Sequence, residues 1–250
     1  MIDLYTSPTP NGWKASVTLE ELELPYETHP IDLSKNVQKE EWFLKLNPNG
    51  RIPVIVDRDN DDFAVFESGA ILLYLADKTG RFAPRPGDLR ARKELTEWLF
   101  WQVGNQGPMA GQLSHFRNYA PEAERDYGFE RYLGEYDRNL GVLERRLAER
   151  DYLLGEYSIA DMLAFPWAFI AKPLGASLED FPRVADWRAR IKERPAVQRR
   201  GQGVLDHLFL LQIGEGRVQF LEGIEVFEHR LDHFVDDLVR RPGRGHEGRT

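Results

Sequence analysis

At 250 residues, with 42% hydrophobic and 30% charged side chains, the chain has the composition of an ordinary globular protein, and fibrous, disordered and low-complexity classes are excluded. A formal net charge of -8 works against a nucleic-acid partner, because neutralising phosphates takes Lys and Arg in clustered excess. Cysteine is absent. Disulfides, thiolate metal sites and a protein-borne Cys nucleophile are therefore excluded, and any thiol chemistry must use a sulfur that the ligand brings.

Residues 2–6 predict a strand reached without a basic or long apolar leader, so the expected location is the cytoplasm, with no membrane partner. After the turn Ser7-Pro8-Thr9-Pro10-Asn11-Gly12 a helical period runs over 13–24, and 26–33 predict a second strand. A short helix near 38–46 leads into the turn formers Asn47-Pro48-Asn49-Gly50. Strands over 52–56 and 63–66, joined by the acidic turn 57–62, make a hairpin, and an apolar helix over 69–79 closes the unit. The order βαβαββα is a thioredoxin-like plan for a domain over 1–80. Two prolines and a glycine make 81–88 a linker. Beyond it the periodicity predicts only helices, over 89–106, 121–150, 158–171, 181–193, 196–211 and 222–240. The fold class is thus α/β plus all-α: a second, helical domain over 89–240, with a C-terminal extension from about 201 and a polar, mobile tail over 241–250.

Glu67-Ser68-Gly69 stands between a strand and an apolar helix, so Ser68 is placed to cap that helix. The free amides there would receive a carboxylate, and Glu67 the ammonium of the same amino-acid headgroup; taken alone, the triplet is more simply explained by an ordinary cap. Pro53 at a strand start gives up a ladder donor, which a cis Ile52-Pro53 peptide would explain, leaving the Ile52 backbone to pair with an extended peptide ligand; a trans proline at a strand edge is the plain alternative. Thr9 and Asn11 offer donors at the positive end of the first helix, where a ligand thiolate could rest, although the same residues make a simple turn. Ser158 and Asp161 have capping-box spacing, with Tyr157 and Met162 as a hydrophobic staple. Trp98-Leu99-Phe100-Trp101 forms an aromatic cluster on a helix that is expected to break at Gly107-Pro108-Met109; it is either core or an apolar pocket wall. His229 and His233 share a helical face, but the acidic companion of a metalloprotease motif is missing, so no metal is expected.

Taken together, these segments resemble the glutathione transferase family, and within it the Nu class of disulfide-bond oxidoreductases and their fungal prion-forming relative in nitrogen regulation. The resemblance runs from 1 to about 198. It is carried by Ile2-Asp3-Leu4-Tyr5 with Thr9-Pro10-Asn11-Gly12, by 47–53, 66–75 and 98–104, and by Ser158-Ile159-Ala160-Asp161. It implies that Thr9 and Asn11 are the catalytic residues and hold a glutathione sulfur. Gln38, Arg51, Ile52 and a cis Pro53 would bind the glycyl and cysteinyl parts, Glu67 and Ser68 the γ-glutamyl group, and Arg131 would reach the ligand near the interface of a homodimer. It also implies glutathione as cosubstrate without a metal, and reduction of small disulfides through a bound glutathione thiolate. Conjugation of electrophiles, peroxidase activity and a non-catalytic regulatory module are the alternatives. The segment from about 201 onward departs from the family pattern and leaves the second-substrate site open.

Overall fold

The computed structural model describes residues 1–199. The helix expected over 222–240, most of that over 196–211, the extension from about 201, the tail over 241–250 and the His229/His233 pair lie outside the described residues.

Alternation along β1 (Ile2–Thr6) places Ile2 and Leu4 in one buried layer and Tyr5 in another, which makes it a central strand. It pairs in parallel with β2 (Tyr26–Pro30) and antiparallel with β3 (Val54–Asp57), which pairs antiparallel with β4 (Phe63–Phe66); the sheet order is β2-β1-β3-β4. The parallel pair requires a crossover, supplied by α1 (Pro10–Leu22). The β3–β4 hairpin is the acidic one read from the sequence, and Asp61 and Asp62 take up its positive φ values of 52° and 53°. Phe43 of α2 (Glu41–Leu46) covers one face of the sheet with Ile31 and Val54, while α1 and α3 (Ser68–Thr79) cover the other. This is the thioredoxin-like arrangement expected.

Beyond the sheet domain the named elements of the described chain are helices: α4 (Leu89–Trp101), α5 (Gly107–Asn118), α6 (Glu122–Arg146), α7 (Ile159–Phe169), α8 (Pro182–Lys192) and the short α9 (Pro195–Arg199). The expected break at Gly107-Pro108-Met109 does not occur. α4 continues through a π-helical turn, Gln102–Gln106, directly into α5. Pro108 stands in the first turn of α5, where the wider π turn relieves the clash its ring would make with the carbonyl four residues back. The cap expected at Ser68 is also corrected. Ser68 is the first residue of α3, and Glu67 holds the cap position with φ 68° and ψ 119° and no side-chain cap bond. α1 starts three residues earlier than its apolar period, because Thr9 Oγ1 accepts from Gly12 N at 3.2 Å and Pro10 is already set for the first helical position.

One core runs from the sheet through α1 and α3 to α7, whose eleven residues are all buried. The capping box is present: the Ser158 side chain accepts from Ala160 N (3.2 Å), and Asp161 accepts from Ser158 N (3.0 Å). Asp161 also accepts from Leu153 N (3.0 Å), the Ser158 hydroxyl (3.2 Å) and Trp187 Nε1 (2.9 Å). Burial pushes this fully enclosed carboxyl up to about 6 against the pull of its donors, so at neutral pH it is the carboxylate that ties α7 to α8. An Asp161→Asn variant would turn an amide N–H toward N–H donors. Urea unfolding should show a loss of about 3 kcal/mol, larger than the roughly 1 kcal/mol expected for Ser158→Ala.

Candidate functional site

The C-terminal end of β1 and the front of α1 approach each other closely: a Cβ on Gly12 would come within 2.1 Å of the Ser7 carbonyl oxygen and 2.4 Å of Thr6 Oγ1. Glycine therefore lets the first turn of α1 fold back against the strand end. The Ser7 hydroxyl donates to the Ile31 carbonyl and fixes the same loop from the other side. Thr9 and Asn11, both half-buried, stand at this helix N-terminus. Thr9 Oγ1 accepts from Gly12 N, and its O–H remains as a donor. Asn11 Oδ1 accepts from Trp167 Nε1 at 3.0 Å. Since an indole nitrogen only donates, the orientation of the Asn11 carboxamide is settled, and its NH₂ is the group left to act.

The Ile52–Pro53 peptide is cis, as read from the sequence. The Ile52 N–H and C=O have no backbone partner among the described residues, so one extended peptide could pair there. Asn47 braces this turn, its Nδ2 donating to the Arg51 carbonyl (2.7 Å) and its Oδ1 accepting from Asn49 N (2.9 Å). Gln38 lies beside it in a 3-10 turn, Val37–Lys39, with Oε1 buried and lacking a donor among the described residues. A buried acceptor of this kind calls for a partner. Arg51 is exposed and free of ion pairs among the described residues. Glu67 and Ser68 stand at the start of α3, Glu67 exposed and Ser68 8% exposed. Arg131 lies exposed on α6 and makes no hydrogen bond or ion pair with the others.

Sequence reasoning missed three residues that complete this end of the sheet: Trp167, which orients Asn11, and the pair Lys14 and Gln102. Lys14 is only 2% exposed; its Nζ donates to Gln102 Oε1 at 2.9 Å and to Ser68 Oγ at 3.3 Å. No carboxylate forms a salt bridge with it among the described residues. Burial pushes its ammonium from 10.5 down to about 7, with the charge of Glu67 pulling the other way. A signal was available: around Lys14, residues 13–19 are apolar or small on every side, leaving this lysine no polar helix face to occupy.

Residues 1–77 match the family described as Glutathione S-transferase, N-terminal domain, and 114–195 match Glutathione S-transferase, C-terminal domain. The chain is 45% identical over 222 residues to the disulfide-bond oxidoreductase YfcG of Escherichia coli, covering 87% of this chain and 99% of that protein. A glutathione transferase of Burkholderia graminis, crystallised with two glutathione molecules bound per subunit, is similar with a TM-score of 0.76 and 44% identity, covering 81% of this chain and 88% of that one. The glutathione transferase URE2P6 of Phanerochaete chrysosporium, in complex with oxidised glutathione, is similar with a TM-score of 0.77 and 38% identity, covering 82% of this chain and 96% of that one. The chain belongs to the glutathione S-transferase family, and its relatives agree with the Nu-class resemblance of its sequence.

A depressed Lys14 has a signed consequence for stability. Its folded-state value lies below the unfolded one of 10.5, so the penalty for burying the charge is absent above that pH, grows as pH falls, and levels off below about 7. Lys14→Met should therefore stabilise the fold, by on the order of 4 kcal/mol near neutral pH, with the gain shrinking by about 1.4 kcal/mol per unit as pH rises toward 10. Urea midpoints of both proteins across that range check it, and a constant difference would show that the charge is not buried in the folded chain.

Proposed function

We propose that the protein is a glutathione-dependent disulfide-bond reductase acting on small disulfides through a bound glutathione thiolate. The observation that carries this reading is Asn11, held by Trp167 with its NH₂ available at the N-terminus of α1, beside the Thr9 hydroxyl. A thiol of pKa near 8.5 is only a few per cent ionised at neutral pH, and lowering that by two units takes about 2.7 kcal/mol of preference for the anion. A helix N-terminus supplies about 0.3 to 1 kcal/mol, and each hydrogen bond to the charged sulfur about 1.5 to 3 kcal/mol. The helix end alone falls short, and the two donors beside it close the gap.

The thiolate attacks one sulfur of the substrate disulfide, forming a mixed disulfide with glutathione and releasing the other sulfur as a thiolate that takes up a proton. A second glutathione thiolate then attacks the glutathione sulfur of the mixed disulfide, giving oxidised glutathione and the second substrate thiol. Two glutathiones are oxidised for each disulfide reduced, and no protein cysteine takes part. The two glutathiones bound per subunit in the Burkholderia graminis relative, and the name of YfcG, support this reading. The Ile52 backbone beside Pro53 would pair with the cysteinyl residue, Gln38 and Arg51 would receive the glycyl end, and Glu67 and Ser68 the γ-glutamyl group. Arg131 would complete the site near the interface of a homodimer. We assign the ligand-binding domain to 1–80 and the helical domain to 89–240, joined by 81–88. We also place the enzyme in the cytoplasm; among the described residues no helix is long and apolar enough to cross a membrane.

With glutathione and hydroxyethyl disulfide, Asn11→Ala should lower kcat/KM by roughly ten- to a hundredfold, whereas Ser158→Ala should leave it close to wild type at a temperature where both are folded. Faster conjugation of an aromatic chloride than disulfide reduction by the wild type would overturn the reading in favour of a transferase. Protein treated with iodoacetamide and then freed of reagent should retain full activity when fresh glutathione is added, because the only reactive sulfur is replaced with the substrate.

A further inference from the structure

Lys14 is an expensive residue to keep where it is. It sits one turn into α1, three residues beyond Asn11, and its ammonium is enclosed by three elements: α1 itself, the first turn of α3 and the π turn. The enclosure is tight, since a Cβ on Gly69 in α3 would lie 3.3 Å from Val103 Cγ1 in the π turn. A buried ammonium without a carboxylate is destabilising unless something compensates its charge. Its partners here are two neutral oxygens, Ser68 Oγ and Gln102 Oε1. Glu67, exposed at the start of α3, is the charged group acting on it. Nearby on its own helix, Thr18 Oγ1 donates to the Lys14 carbonyl and brings no charge. The arginines of the α9 region, Arg194 and Arg199, are tied to Glu21 and Glu20 at the far end of α1.

The contact with Ser68 has a directional effect. An ammonium only donates, so Ser68 Oγ accepts from it, and the single hydroxyl hydrogen remains for another acceptor. The same place carries the free amides at the N-terminus of α3. Three positive features therefore converge with no carboxylate bonded to them among the described residues: the Lys14 ammonium, the committed Ser68 O–H and the helix end. An α-amino acid headgroup presents one carboxylate and one ammonium, and Glu67 stands at the same helix start for the second charge.

We propose that Lys14 is a positioning residue for the carboxylate of the ligand's γ-glutamyl group: it commits the Ser68 hydroxyl to donating and supplies a buried countercharge behind the first turn of α3. Through Gln102 the same ammonium ties that recognition to the π turn joining α4 to α5. The inference rests on the reading of this site as a glutathione site. It concerns affinity for one end of the ligand, not the sulfur chemistry at Asn11.

Two probes separate the possibilities by calorimetric titration: S-methylglutathione, whose blocked sulfur removes thiol titration, and the same molecule with 4-aminobutyryl in place of γ-glutamyl, lacking only that carboxylate. The wild type should prefer the first. Lys14→Met should weaken S-methylglutathione by about tenfold or more and leave the decarboxylated probe unchanged. Ser68→Ala should do the same, and the double variant should be scarcely worse than either single one. Wild-type affinity for S-methylglutathione should be level below about pH 7 and fall as pH rises from there to about 8, and that dependence should vanish in Lys14→Met. Equal weakening of both probes in Lys14→Met, or no weakening of either, overturns the proposal while wild-type disulfide reduction stands. A wild type that binds neither probe, or does not distinguish them, overturns the glutathione-site reading and this inference with it.

Discussion

The complete enclosure of α1 is the constraint on which the rest depends. This helix lies against the sheet on one side and against α3, α7 and α9 on the others, and nearly all of its residues from Gly12 to Leu22 are buried. Such a helix cannot be placed by one amphipathic stripe; it is located by contacts all round, with each buried Leu or Val contributing about 1.5 to 3 kcal/mol through area removed from water. Its N-terminus is consequently a rigid point in space. Thr9 and Asn11 inherit that rigidity, and Trp167 of α7 reaches across to set the Asn11 amide. On the proposed reading the site holds a sulfur anion, and that needs donors already aligned before the charge arrives, because reorientation at that moment would consume the stabilisation.

Two buried charges near this core show opposite solutions to the same problem. Asp161 is surrounded by four donors, two from backbone amides and two from side chains, and its charge is distributed into the structure that joins α7 to α8. Lys14 meets two neutral acceptors and no carboxylate partner, and its proton is held loosely. The first arrangement is self-sufficient and architectural. The second is electrostatically incomplete, and the carboxylate proposed above would complete it.

The turns of the chain were the most legible part. Asn47-Pro48-Asn49-Gly50, the acidic hairpin and the Ser158/Asp161 box act through neighbours within a few residues, so spacing alone predicts their geometry. Gly107-Pro108 misled for a related reason: proline and glycine ordinarily end helices, but the π turn before them widens the helix, and nothing in the local sequence announces it. Ser68 was misplaced by one position, because its hydroxyl is claimed by Lys14, fifty-four residues away in the chain, rather than by the amides of its own helix. Gln102 and Trp167 were invisible as site residues for the same cause, and the apolar surroundings of Lys14 signalled its burial but not its partners: each acts on a partner distant in sequence.

The sequence by itself determined the alternating first part and the helical second part, the family, the absence of a protein-borne thiol and the residue types at the front of α1, since these follow from composition, period and local motif. Only the tertiary structure decided which atoms of those residues are free to act. Asn11 has a donor to offer because an indole from α7 occupies its oxygen, and Ser68 has one because an ammonium from α1 occupies its lone pair. Hydrogen-bond polarity at each position is set by what the neighbour can donate or accept, and the neighbour is chosen by packing, not by adjacency along the chain.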